Sequence, residues 1–155
     1  MKLKNYEWHG FGFPVIFEEL PAVKIRGELV PDVDWKQIGE VVVAFICSQQ
    51  KVPLSGDQVK FIRNSLNMSL RNFAKFVGVT HQSLMRWEKR GDQPAQIEAH
   101  IEIVLRLKVL RELKVEVEVI SEAFDQVEDV DKFRSNTYRH FKPMKVSESA
   151  VHGCF

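Results

Sequence analysis

The sequence predicts a mainly α fold. Four helices over residues 52–113 follow a small α/β segment at 1–51 and precede an extension at 114–155. Three observations predict it. Apolar residues recur at helical spacing through four consecutive segments between residues 55 and 113. Each segment opens on a residue suited to start a helix: Ser55, Ser69, Thr80 and Pro94. Gly78 stands where the apolar spacing of the second segment stops, and a glycine there permits the left-handed backbone that ends a helix.

In chain order, residues 13–20 (FPVIFEEL) and 22–30 (AVKIRGELV) read as two strands punctuated by Pro21 and Gly27. The second alternates Val23 and Ile25 against Lys24 and Arg26. Asp32 or Asp34 can cap a helix running to about Gln50, with Trp35, Ile38, Val42, Phe45 and Ile46 inward. Residues 51–54 read as a linker, because Pro53 disfavours helix at Val52. Ser55 then caps a helix with Val59, Ile62 and Leu66 inward. Ser69 caps the next, with Leu70, Phe73, Ala74 and Val77 on one face. After Gly78, Val79 is placed to pack between two helices, and Thr80 caps a helix whose inward residues are Leu84 and Trp87. Pro94 suits the first turn of a last helix carrying Ile97, Ile101, Val104, Leu105, Val109 and Leu113.

A helix, a glycine turn and a second helix over residues 68–90 have the sequence shape of a DNA-binding helix-turn-helix. The outward residues near the start of its second helix are His81, Gln82, Ser83 and Arg86. A glutamine amide pairs with adenine, and an arginine fork with guanine, each through two hydrogen bonds. Gln82 and Arg86 are four residues apart and project from one face. They are the expected base readers, with Ser83 and His81 beside them. Ser69, Arg71, Lys75, Thr80, Lys89 and Arg90 are the expected phosphate contacts. Between residues 55 and 93 seven basic residues stand against three acidic ones, a net of +4 in a chain whose formal charge is only +1. Such local excess favours phosphate binding.

These residues resemble the lambda-repressor-like (Xre-type) helix-turn-helix, and more narrowly the C-terminal domain of the MqsA family of antitoxin regulators. The likeness runs from Val59 to Leu113 and is sharpest in GVTHQSLMRWEKRGDQP at 78–94. The resemblance implies that an amide residue and an arginine four positions later read DNA, which fall on Gln82 and Arg86. The family's aromatic-Glu-Lys-Gly ending is matched by Trp87, Glu88 and Lys89, with Arg90 inserted before Gly91. Residues 17–45 have the frame of the zinc ribbon that precedes the motif in such antitoxins. Its ligand cysteines would fall at Val23 and Arg26, and neither is cysteine. Zinc needs four ligands at close spacing. Cys47 and Cys154 are far apart, and His9, His81, His100, His140 and His152 show no metal spacing. A metal-free N-terminal domain without cofactor is expected.

Beyond the bundle, KVEVEVI at 114–120 alternates as a strand does, although a helix continued from Leu113 also fits. Residues 115–131 carry seven acidic and no basic residues, either a solvated face or a docking surface for a basic partner such as a ribonuclease toxin. A basic tail follows, with Lys132, Arg134, Arg139, Lys142 and Lys145, and residues 147–155 read as loosely ordered.

Apolar residues make up 45% of the chain, enough for a core. The apolar run at 41–47 is too short to span a bilayer. The first residues lack a signal pattern, and two lone cysteines make no disulfide framework, so a cytoplasmic protein is expected. There is no phosphate-cradling glycine loop, nucleophile elbow or HExxH. His81 and Ser83 are two apart on a helix and do not face each other; His9 in HGFGF reads as a turn. No enzyme is expected. The reading is a sequence-specific regulator bound as a homodimer to a double-stranded DNA operator, the antitoxin of a toxin–antitoxin pair, with a toxin protein as possible partner and no membrane. A stand-alone transcription factor and a protein-interaction module that keeps the motif as scaffold are the alternatives.

Overall fold

The computed structural model describes residues 1–116, 118 and 144–147. The chain forms two compact units, Met1–Val42 with Lys142–Phe155, and Val43–Phe141. The expected mainly α bundle of lambda-repressor type is overturned. The described residues hold five helices and a four-stranded mixed sheet that begins at Lys2.

In the first unit, β1 (Lys2–Trp8) pairs antiparallel with β2 (Val15–Ile25), which also pairs antiparallel with β3 (Glu28–Pro31) and parallel with β4 (Met144–Val146). Val15, Ile16 and Phe17 pair with β1 and with β4, so both hydrogen-bonding edges of β2 are used there. The two strands expected at 13–20 and 22–30 are thus one long strand and a hairpin arm. Pro21 does not break β2, because it lies where pairing passes from β1 to β3. Its carbonyl accepts from the Asp32 N–H, and the donor it lacks is not needed for the β1 ladder. The hairpin turn is Arg26-Gly27, at φ of 51° and 88°, the left-handed pair that a two-residue turn requires. Of the two positions matched to zinc-ligand cysteines, Val23 lies in β2 and Arg26 in this turn.

The sequence pattern missed β1 and β4. Lysines interleave β1, and Asn5 at φ 49° interrupts its alternation. Three residues of β4 carry no signal until they meet β2. Lys145 in β4 places its ammonium 3.7 Å from Glu18.

Helix α1 (Trp35–Gln49) starts as expected at Asp34, whose carboxylate accepts the Lys36 N–H. Trp35 stacks on Trp8 at 3.9 Å between centroids, with Phe11 and Phe17 edge-on, over a core of Val15, Phe17, Leu20, Ile38 and Val42.

The second unit holds the end of α1, α2 (Gly56–Ser65), α3 (Leu70–Val77), α4 (His81–Lys89) and α5 (Ala99–Glu112). Its apolar core includes Leu54, Val59, Ile62, Phe73, Leu84, Leu105 and Val109. Ser55 and Gln58 close a capping box at α2. Gly56 lets the start of α2 approach the end of α4: a Cβ there would lie 2.5 Å from the Trp87 carbonyl oxygen and 2.7 Å from the Gly91 nitrogen. Gly56→Ala is expected to cost about 1–3 kcal/mol, read as a lower urea midpoint.

Pro94 does not open the last helix. It forms a β-bridge with Ser55, and Ala95 donates to the Leu54 carbonyl, so α5 begins only at Ala99. The face of α5 also differs from the apolar spacing. Val104 is 41% exposed, whereas Glu102 and Arg106 are fully buried.

These two charges are paired at 2.9 Å. Arg106 also donates to the carbonyls of Gln50 and Val52, and Glu102 accepts the Leu54 N–H. The pair thereby satisfies the irregular backbone between α1 and α2, which buried main chain otherwise could not afford. Beside it lies Cys47, whose thiol is pushed up to about 12, first by burial and then by Glu102, against the pull of Arg106. A thiol so protonated and enclosed is not a nucleophile. Maleimide should leave Cys47 unlabelled in the native chain and label it fully in denaturant, as mapped by peptide mass.

Of the stretch read as a strand or a continued helix at 114–120, Lys114 lies in a turn, Val115 and Glu116 in no regular element, and Glu118 is helical. The rest of it, the acidic residues 119–131, the basic residues 132–142 and the tail 148–155 lie outside the described residues. No described helix is long and apolar enough to cross a membrane.

Candidate nucleic-acid interface

The α3–α4 pair forms as the sequence dictates. Ser69 caps α3 by accepting the Asn72 N–H. Gly78 ends it at φ 90°, and its N–H and that of Val79 both reach the Ala74 carbonyl. Thr80 caps α4 by accepting the Ser83 N–H. Phe73, Ala74 and Val77 of α3 and Leu84 and Trp87 of α4 are buried, so each helix turns its remaining face outward. Helix α4 packs against both α2 and α3.

On the outward face of α4, Gln82 and Arg86 are exposed, and His81 and Ser83 are half-buried. Ser83 links the cap to the arginine. Its hydroxyl oxygen accepts from Thr80 at 3.0 Å and from the Arg86 guanidinium at 3.1 Å. One nitrogen of the fork is therefore held on the helix, while the residue as a whole stays exposed. Arg71 and Lys75 are exposed on α3, Lys89 on α4 and Arg90 at its end. Arg90 donates from Nε to the Pro94 carbonyl, which anchors it to the loop after α4. The hydroxyls of Ser69 and Thr80 both serve as helix caps.

Two features of this face escaped the sequence reading. Arg63 of α2 and Glu88 of α4 form a two-pronged ion pair, with contacts of 2.9 and 3.0 Å. Arg63 also donates to the Met68 carbonyl. The one acidic side chain of α4 is thus withdrawn from the outward face, and Arg63 contributes no free charge. Twenty-five residues separate the two, and local spacing gives no sign of the pairing. Met85 is 38% exposed. Its position was readable, three residues after Gln82 and four before Lys89, on the same helical strip.

Elsewhere in this unit, burial, and secondarily the charge of Asp92, push the Asp57 carboxyl above its usual range, with Lys60 opposing. No group of three or more His, Cys, Asp or Glu side chains is placed to hold a metal ion among the described residues. No family model matches the chain, and no curated protein or solved structure matches it.

Proposed function

We propose that this chain is a sequence-specific DNA-binding transcriptional regulator, a homodimer on a double-stranded operator, and the antitoxin of a type II toxin–antitoxin pair that represses its own operon. The observation that carries the DNA reading is the outward strip of α4, on which Gln82 and Arg86 stand four residues apart beside exposed lysine. The antitoxin assignment rests on the likeness of residues 59–113.

In this reading α4 enters the major groove. Gln82 pairs with an adenine edge and Arg86 with a guanine edge. The Ser83 hydroxyl holds one guanidinium nitrogen in place, which lowers the ordering entropy lost on binding. His81 borders the strip. Arg71, Lys75, Lys89 and Arg90 hold phosphates, and Ser69 and Thr80 place helix N-termini near the backbone. A two-fold dimer would set two such helices about 34 Å apart on a near-palindromic site.

Lys75→Ala is expected to weaken all sequences alike and to flatten the dependence of log affinity on log salt by about one unit. Titrations of one duplex at several salt concentrations measure it. Footprinting of DNA upstream of the chain's own gene tests the reading as a whole. Protection of two half-sites one helical turn apart is the expected result; uniform cleavage at saturating protein and low salt would contradict it. A pull-down with the product of the adjacent gene tests the antitoxin assignment separately.

A further inference from the structure

The outward strip of α4 consists of Gln82, Met85, Arg86 and Lys89. Three of these are polar or cationic, as a DNA-facing helix requires. The fourth is a large apolar side chain left 38% exposed. Met85 is not a spare core residue, since Leu84 and Trp87 on either side of it fill the inward face. It sits at i+3 from Gln82 and next to Arg86, between two side chains assigned to base edges. The surface around it bears amide and positive charge, with Glu88 drawn away by Arg63. A protein partner binding an apolar anchor would more commonly meet it in an apolar surround. A major groove meets this composition better. There the one apolar group on a base edge is the 5-methyl of thymine, flanked by hydrogen-bonding atoms and phosphates.

We propose that Met85 is a specificity-determining residue that reads a thymine methyl adjacent to the base bound by Arg86. This rests on the DNA-binding reading of α4. The thioether side chain is unbranched and polarisable and adapts to the shallow methyl without a preformed pocket. Packing the methyl removes apolar surface from water on both partners, and changing thymine to uracil removes that methyl while leaving every hydrogen bond of the base pair intact.

The test begins with a duplex enriched from a randomised pool by the full chain. Each thymine of that duplex is replaced singly by deoxyuridine, and affinities are measured for the wild type and for Met85→Ala. Alanine is a strong helix former, and circular dichroism checks that the variant folds. The wild type should lose about fourfold in affinity at one thymine. Met85→Ala should bind the thymine and uracil duplexes equally at that position while keeping its preference at the guanine. Equal wild-type affinity for all uracil substitutions, or an unchanged loss in Met85→Ala, would overturn the role of Met85 and leave the DNA reading standing. A pool that yields no enriched sequence would overturn the DNA reading itself, and this inference with it.

Discussion

Arg106→Ala should lose about 3–5 kcal/mol of folding stability at neutral pH, the cost of leaving a buried carboxylate without its partner. The guanidinium is 1% exposed, and the Glu102 carboxylate is fully enclosed. Removing Arg106 also strips the Gln50 carbonyl of its donor and leaves the Val52 carbonyl with the Gln50 side-chain amide alone. For that reason an apolar double replacement, Glu102→Leu with Arg106→Met, should not restore stability as it does where a buried pair holds only itself. The Leu54 N–H and the Gln50 carbonyl would still have lost their partners.

The pH dependence of the single variant follows from Glu102. Burial already pushes its carboxyl above the ordinary carboxylate value, and Arg106 and the Leu54 N–H pull it back. Without Arg106 the upward push is less opposed. A folded value above the unfolded one means that the folded state keeps its proton to higher pH. The defect should therefore be smallest below the unfolded value, about 4.3, and grow as pH rises through the folded value. Urea titrations of both proteins at several pH values measure it; a constant difference would remove this account of the pair.

Arg86→Ala has the second large effect. It should cost about 1–3 kcal/mol of operator affinity and relax preference at one base position, with little change in the urea midpoint. Arg86 is exposed, and its one described contact is to Ser83. A loss of affinity shared equally by every sequence would make Arg86 a phosphate contact. An unchanged affinity would remove it from the interface. Binding curves on the operator and on single-base variants, at fixed salt, separate these outcomes.

How much of this was legible in the sequence depends on whether the signal is local. The caps Ser55, Ser69 and Thr80, the turn at Gly78, and the inward Phe73, Val77, Leu84 and Trp87 all act within a few residues. They were read correctly, and with them the exposed Gln82 and Arg86. What failed depends on distant partners. The fold class went wrong because β1 is a lysine-interleaved strand, and β4, three residues long, forms only by pairing with β2. Pro21 reads as a break in isolation, yet it sits harmlessly at a change of strand partner. Pro94 reads as a helix start, yet it is drawn into a bridge with Ser55. Glu102 and Arg106 fall outside the apolar face that the spacing gives this helix. Their burial follows from the backbone of residues 50–54, which no helical pattern encodes. At the interface the same rule holds for Arg63 and Glu88. Met85 needed only the spacing, but an apolar residue is not sought on a polar strip.

In the proposed function the exposed strip of α4 reads base edges. Selection from a randomised duplex pool by the wild-type chain and by Gln82→Ala, carried out side by side, tests it most directly. The wild type should yield one enriched motif, containing an adenine position whose preference disappears in Gln82→Ala while the guanine position persists. Identical motifs from the two proteins, or no motif from either, would contradict it.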